Sequence, residues 1–279
     1  MKTTLLFLSV FLTKSLFCQN VYIPDANFKA YLASNPDINT NGDTEIQISE
    51  AEAYSGTIYC GNANISDLTG IEAFTSITEL YCPGNNLTSL DLSQNISLYW
   101  AVRCNENQLT SLILPENSTI ILLNCQNNQL TNLNTSGATI LNTLLCQNNE
   151  LVSLDLSQNV SLTTLSCHNN NLQCINVANG YNSFLNSFYS YNNPELMCVQ
   201  VDDAAWSTAN WTYIDPQTSF SEDCDYPSDC FTASVDELST SKNLFQILDL
   251  MGRETTFKPN TLLIYVYDDG STEKVFTIE

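Results

Sequence analysis

The sequence predicts an α/β-type repeat solenoid: a right-handed coil with a parallel β-sheet on its concave face, a small helical N-terminal cap and a small C-terminal β module. Three observations point there. The stretch Leu162-Thr-Thr-Leu165-Ser-Cys167-His-Asn-Asn170-Asn-Leu172 has the pattern L-x-x-L-x-C-x-x-N-x-L. It recurs upstream as Leu141, Leu144, Cys146, Asn149, Leu151, as Ile120, Leu123, Cys125, Asn128, Leu130, as Val102, Cys104, Asn107, Leu109, and as Ile77, Leu80, Cys82, Asn85, Leu87. The cysteines Cys60, Cys82, Cys104, Cys125, Cys146 and Cys167 are spaced 22, 22, 21, 21 and 21 residues apart. A second apolar group follows each phrase, as in Leu90 and Leu92, Leu112 and Leu114, Leu133, or Leu154 and Leu156.

The pattern is that of a leucine-rich repeat with cysteine in place of the third leucine. Each repeat lays down a short strand with Leu and Cys pointing inward, turns at Asn, and returns through the second apolar group. One coil cannot bury its apolar face alone, so coils stack and share a continuous core. The column Asn85, Asn107, Asn128, Asn149 and Asn170 stands where the chain leaves the strand, because a carboxamide both donates to and accepts from the backbone of the adjacent coil. Thr135 replaces an aliphatic residue, which makes its coil the one expected to pack least well.

The 279 residues carry a net charge of −22, and Arg103 is the only basic residue between Lys29 and Lys242. Phosphate neutralisation needs clustered Lys and Arg, so neither nucleic acid nor an anionic membrane is an expected partner. Residues 1–18 combine Lys2 with a short apolar run from Leu5 to Leu12 and read as a secretory signal peptide cleaved near Cys18 and Gln19. Phe17 is bulky where a lipidated cysteine would want a small neighbour, and no other segment is apolar enough to span a membrane.

Export favours disulfides. Neighbouring ladder positions on parallel strands nevertheless stand about 4.8 Å apart with parallel side-chain directions, beyond the roughly 3.5 to 4.5 Å between Cβ atoms that a disulfide takes. The ladder cysteines are therefore expected to be buried free thiols. Cys174, Cys198, Cys224 and Cys230 lie at or beyond the end of the ladder and are the expected disulfide formers, in an undetermined pairing.

At the N-terminal end, residues 19–55 are expected to form the cap, with Asp25 opening a helix that buries Phe28, Tyr31 and Leu32 on one face. Asp37, Asn39, Asn41 and Asp43 then alternate around Gly42 like the start of an EF-hand loop, although the closing glutamate comes late. Two readings stand: an Asx-rich turn joining two helices, with no cofactor required, or a calcium site. Residues 56–201 hold the repeats, 202–225 a closing cap with Trp206 and Trp211, 226–242 a linker, and 243–279 three or four alternating strands.

Residues flanking each inward cysteine should face outward on the concave sheet, because side chains alternate along a strand. One column runs Tyr59, Tyr81, Arg103, Asn124, Leu145, Ser166, Tyr189, and its neighbour runs Pro83, Asn105, Gln126, Gln147, His168, Tyr191. Tyrosines and amides suit a protein loop or a glycan. No catalytic constellation is visible: His168 is the only histidine and reads as a surface residue, while Asp202-Asp203 and Asp268-Asp269 read as solvated turns.

On the cysteine column and its period, the solenoid resembles the internalin-like, cysteine-ladder leucine-rich repeats of secreted bacterial surface proteins, which a small helical cap precedes. The tail, with Asp249-Leu-Met-Gly252-Arg253-Glu254, the strand ending at Tyr267-Asp268-Asp-Gly270, and Lys274, resembles a type A C-terminal sorting domain of the type IX secretion system. The resemblance implies that Asp249, Gly252, Arg253 and Lys274 belong to a sorting signal read by the secretion machinery. It further implies a protein secreted or attached at the outer cell surface that recognises a protein or carbohydrate ligand without enzyme activity. The alternatives are a structural component of the surface or matrix, marked by self-association, and a non-catalytic binding subunit of a secreted degradative system.

Overall fold

The computed structural model describes residues 19–227 and 230–231 together with the strands 244–248, 262–267 and 272–276. Residues 1–18, Asp249, Gly252 and Arg253 lie outside the described residues, as does most of the stretch between the solenoid and the tail. Two compact units are present, dividing between Phe231 and Thr232.

The first unit is a parallel-strand solenoid. Seven three-residue strands, Thr57–Tyr59, Glu79–Tyr81, Ala101–Arg103, Leu122–Asn124, Thr143–Leu145, Thr164–Ser166 and Ser187–Tyr189, pair in parallel in chain order. Their central residues stand in one register, Ile58, Leu80, Val102, Leu123, Leu144, Leu165 and Phe188, each at most 2% exposed. Behind them the six ladder cysteines are all buried and free. Burial pushes the thiols of Cys60, Cys104 and Cys167 up to about 12 and raises the other three as well, so they are protonated apolar packing groups.

The asparagine column closes each turn as its chemistry predicts. The Nδ2 of Asn128 donates to the carbonyls of Cys125 and Cys104, at 3.0 and 3.1 Å, and its Oδ1 accepts the N–H of Leu109 at 2.9 Å. Asn107, Asn149 and Asn170 repeat this arrangement in their own coils. One side chain thus satisfies three backbone groups of two coils that would otherwise be buried unpaired. Asn193 extends the column past Asn170, while Ser190, on the cysteine column of that coil, keeps its hydroxyl buried without a partner among the described residues.

The return segments form shorter parallel sheets. Ser89–Asp91 pairs with Ser111–Ile113, and Ser153–Asp155, Cys174–Asn176, Cys198–Gln200 and Ser219–Ser221 form a four-stranded sheet. Between these two sheets lies the coil of Thr135, whose return is not a strand. The hydroxyl of Thr135 is buried yet satisfied, donating to Asn159 Oδ1 at 3.0 Å. Replacing the aliphatic residue therefore strands no polar group.

The N-terminal cap consists of helix α1 (Ala26–Ser34) and helix α2 (Ile48–Ala53). One oxygen of Asp25 caps α1 through the N–H groups of Asn27 and Phe28, and the other reaches Ser66 N–H and Oγ at 2.8 and 2.9 Å. Burial alone would raise this carboxyl, but the hydrogen bonds outweigh it and hold it below the usual carboxylate range. Tyr31 Oη accepts the N–H of Tyr59 at 2.7 Å, covering the open edge of the first strand.

At the other end helix α3 (Ala204–Asn210) leads into Trp211, which stacks on Phe188 at 4.5 Å and donates from its indole to Leu185 O at 3.0 Å. Disulfides join Cys174 to Cys230 and Cys198 to Cys224, resolving the open pairing. The first residues of the expected linker are not a linker. Tyr226 Oη donates to the carbonyls of Cys198 and Ile175 at 2.7 and 2.8 Å and accepts the N–H of Ile175. With Cys230 bonded to Cys174, the solenoid extends to Phe231. Pro227 and a polar composition point to a linker, but they carry no trace of a tyrosine that reaches back across two return strands.

The second unit contains an antiparallel sheet in the order Leu244–Leu248, Leu262–Tyr267, Thr272–Phe276. Lys274 lies on its last strand, in register with Ile264.

Candidate functional site

The concave sheet sets out one outward column in strict register: Tyr59, Tyr81, Arg103, Asn124, Leu145, Ser166 and Tyr189, with Tyr213 bridging beyond Tyr189. Strand spacing brings like side chains into ring contact. Tyr59 and Tyr81 stack with centroids 4.6 Å apart, and the guanidinium of Arg103 lies over the Tyr81 ring at 5.2 Å. Tyr189 leans on Tyr213 at 4.9 Å, while in the adjacent column His168 stacks on Tyr191 at 4.4 Å. Two aromatic groups therefore stand toward the ends of the sheet, with Asn124, Leu145 and Ser166 between them.

Not every predicted residue is available to a ligand. Asn124 is only 8% exposed, and its Oδ1 accepts the N–H of Gln126 at 3.3 Å. Alternation fixes which way a side chain leaves the strand, but a short amide can fold back on the backbone under its taller neighbours. Gln147 donates to Gln126 across adjacent coils, so this pair is partly self-satisfied. Tyr59 is 63% exposed, and Tyr81, Arg103, Gln126, Gln147, His168, Tyr189 and Tyr191 are half-buried.

The electrostatics centre on Arg103. It makes no ion pair among the described residues, although the chain has 30 acidic groups, and its Nε is buried without a hydrogen-bond partner. Tyr81 Oη donates to Glu79 Oε2 at 2.7 Å, and burial, followed by that carboxylate, raises the phenol above its ordinary value. Burial lowers His168, so the imidazole is neutral at physiological pH. Its Nδ1 lies 2.9 Å from Ser166 Oγ; alternation puts both residues on the outward face, but their hydrogen bond depends on side-chain torsions that the sequence pattern does not carry. Among the described residues the contacts of this imidazole are the Ser166 hydroxyl and the Tyr191 ring, with no carboxylate beside it.

The residues read as an EF-hand start close on themselves. Asn39 Nδ2 donates to the carbonyls of Ala33 and Asp43, and its Oδ1 accepts the N–H of Gly42. Asn41 and Gln47 both donate to Asp43 Oδ2. The carboxylate of Glu50 fills the centre, accepting from Thr40 N–H and Oγ1, Asn41 N–H and Gln47 N–H. Burial would raise the Glu50 carboxyl, but these bonds hold it below its usual value. Asp37 joins none of these bonds, and among the described residues no group of three or more His, Cys, Asp or Glu converges as a metal site. The side-chain oxygens of Asn39, Asp43 and Glu50 are thus engaged by N–H and hydroxyl donors of the loop itself.

The residue two positions after each ladder cysteine, and after Ser190, is left-handed: Asn62, Gly84, Glu106, Asn127, Asn148, Asn169 and Asn192, with φ between 55° and 65°. Gly and Asn tolerate this region best, which explains their recurrence there. Asn192, Asn169 and Asn148 each donate to the preceding member at 2.6 to 2.7 Å, forming an exposed amide ladder beside the concave sheet.

No protein-family model matches the sequence, and no curated relative does either. Among solved structures, the chain is similar to internalin C2 of Listeria monocytogenes at 16% identity, over 73% of this chain and 98% of that one, with a TM-score of 0.43. The functional domain of InlJ from the same organism, described as including a cysteine ladder, matches at 20% identity over 72% of this chain and 62% of its own, with a TM-score of 0.24. The leucine-rich effector YopM of Yersinia pestis matches at 22% identity over 52% and 51%, with a TM-score of 0.39. Among the described residues no helix is long and apolar enough to cross a membrane.

Proposed function

We propose that the chain is a secreted or surface-attached bacterial recognition protein that binds a protein or carbohydrate partner through its concave sheet and performs no catalysis. The observation that carries this reading is Arg103. It is the one cation of the concave face, it is free of ion pairs among the described residues, it lies over Tyr81, and it holds an orphaned buried Nε. An unpaired buried donor beside stacked tyrosines costs stability unless a ligand completes it. In this reading residues 1–18 direct export, and the tail, with Asp249, Gly252, Arg253 and Lys274, addresses the secretion machinery. The cap needs no calcium.

The test is a binding screen of the full chain against bacterial and host surface proteins and glycans, with and without calcium. For the ligand found, Arg103→Ala and Tyr81→Ala should each weaken binding by about 1–3 kcal/mol. Unchanged affinity in both variants would remove the concave face from consideration.

A further inference from the structure

The step from Cys82 to Cys104 is 22 residues where each of the next three is 21, and the structure shows where the additional residue goes. Ile77 and Leu80, Ile120 and Leu123, Leu141 and Leu144, and Leu162 and Leu165 are three apart, whereas Leu98 and Val102 are four apart. Tyr99 and Trp100 both donate their N–H to Thr78 O, at 3.2 and 3.3 Å. On the other side, the Ile121 N–H is shared between Tyr99 O and Trp100 O, at 3.0 and 3.3 Å. Two residues thus stand between single residues of the neighbouring coils, a bulge at the start of the strand, and bulges re-aim side chains.

Here the bulge brings out two aromatic rings. Tyr99 is 49% and Trp100 52% exposed, with centroids 6.2 Å apart and planes inclined at 58°. Neither the phenol nor the indole N–H has a hydrogen-bond partner among the described residues, unlike Trp211, which is buried and bonded. The row continues through Ile121 to Asn142 and Thr163, linked by Asn142 N–H to Ile121 O at 2.9 Å and Thr163 N–H to Asn142 O at 2.8 Å.

We propose that the Tyr99–Trp100 bulge is a stacking platform for a neutral polysaccharide. The apolar C–H face of a sugar ring would lie on the indole, its hydroxyls would meet the free indole N–H and phenol, and the following sugars would run along Asn142 and Thr163. Charge selects the class: a chain of net charge −22, with one cation between Lys29 and Lys242, repels polyanionic glycans. Composition argues against a protein partner, whose interface needs a contiguous apolar centre; this row turns to amide and hydroxyl within two coils. The site lies beside the concave sheet and does not use Arg103 or Tyr81, so it stands or falls separately from the proposed function.

The experiment follows intrinsic fluorescence and calorimetry of the full chain with soluble hexasaccharides of β-1,4-glucose, β-1,3-glucose and β-1,4-N-acetylglucosamine, and with alginate as the polyanionic control. At least one neutral hexasaccharide should bind and alter Trp100 emission, while alginate should not. Trp100→Ala should weaken that binding about tenfold or more, and Tyr99→Ala should weaken it to a smaller degree. Trp100→Phe should retain most of it, and Arg103→Ala should leave it unchanged. The proposal is overturned if no neutral hexasaccharide binds, if binding survives Trp100→Ala, or if Arg103→Ala abolishes it equally. It is also overturned if the only effect of Trp100→Ala is loss of self-association in sedimentation, which would assign the platform to a second copy of the chain. Circular dichroism of the variants, each altering a half-exposed ring, separates lost binding from lost fold.

Discussion

The two ends of the solenoid meet the same physical demand with different chemistry. A stack of coils leaves an apolar face and unpaired strand edges wherever it stops. The N-terminal end is closed by polar groups: Asp25 binds the cap to Ser66, Tyr31 accepts from the first strand, and Glu50 gathers the loop between the helices. The C-terminal end is closed by covalent and aromatic means, with Trp211 on Phe188, two disulfides, and Tyr226 spanning two return strands. The polar closure depends on ionisation, whereas the C-terminal one depends on oxidation. Each end should therefore fail under a condition that spares the other.

The largest effect is expected from reduction. The disulfides close segments with sequence separations of 56 and 26 residues, and losing them should cost about 2–5 kcal/mol or more. Thermal melts with and without reductant should show this, and hydrogen exchange should place the loosening at residues 198–231 while the N-terminal cap keeps its protection. Equal loosening at both ends would contradict the division.

Next comes Glu50→Gln, expected to cost about 1–3 kcal/mol at neutral pH by weakening four charge-assisted bonds. The carboxyl is held below its ordinary value in the fold, so its contribution is present above the unfolded-state pKa and is lost as pH falls through the folded one. The stability gap between wild type and variant should accordingly close as the solution is acidified below about pH 4. A gap independent of pH would mean that Glu50 acts by shape alone.

The smallest effect is expected from Tyr226→Phe, which removes only the hydroxyl that joins Ile175 and Cys198. A loss of about 1 kcal/mol in denaturant titrations is expected. No loss would show that the disulfides alone hold this segment.

Much of the interior was readable from the chain because a periodic interior leaves a periodic trace. Cys60 to Cys167 share one buried column since the same sequence offset places each at the same angle of its coil. Asn85 to Asn170 recur because each coil must satisfy the same three backbone groups. The concave columns followed from alternation, and their register agrees. What alternation could not supply was height and company: that Asn124 folds under Gln126, that Arg103 rests on Tyr81, or that Ser166 and His168 share a hydrogen bond. These depend on side-chain torsions and on neighbours one coil away.

The repeat phrase alone determined that this chain coils, that its thiols face a dry interior and that asparagines bridge its turns, because these properties repeat with the sequence. Only the tertiary structure decided which cysteines pair at the end and that Tyr226 belongs to the solenoid. It also placed the extra residue of the second coil, which emerges as the Tyr99–Trp100 bulge. Each of these is a single event in which the chain meets a distant segment or departs from its period, and a one-off contact leaves no recurring mark in the order of residues.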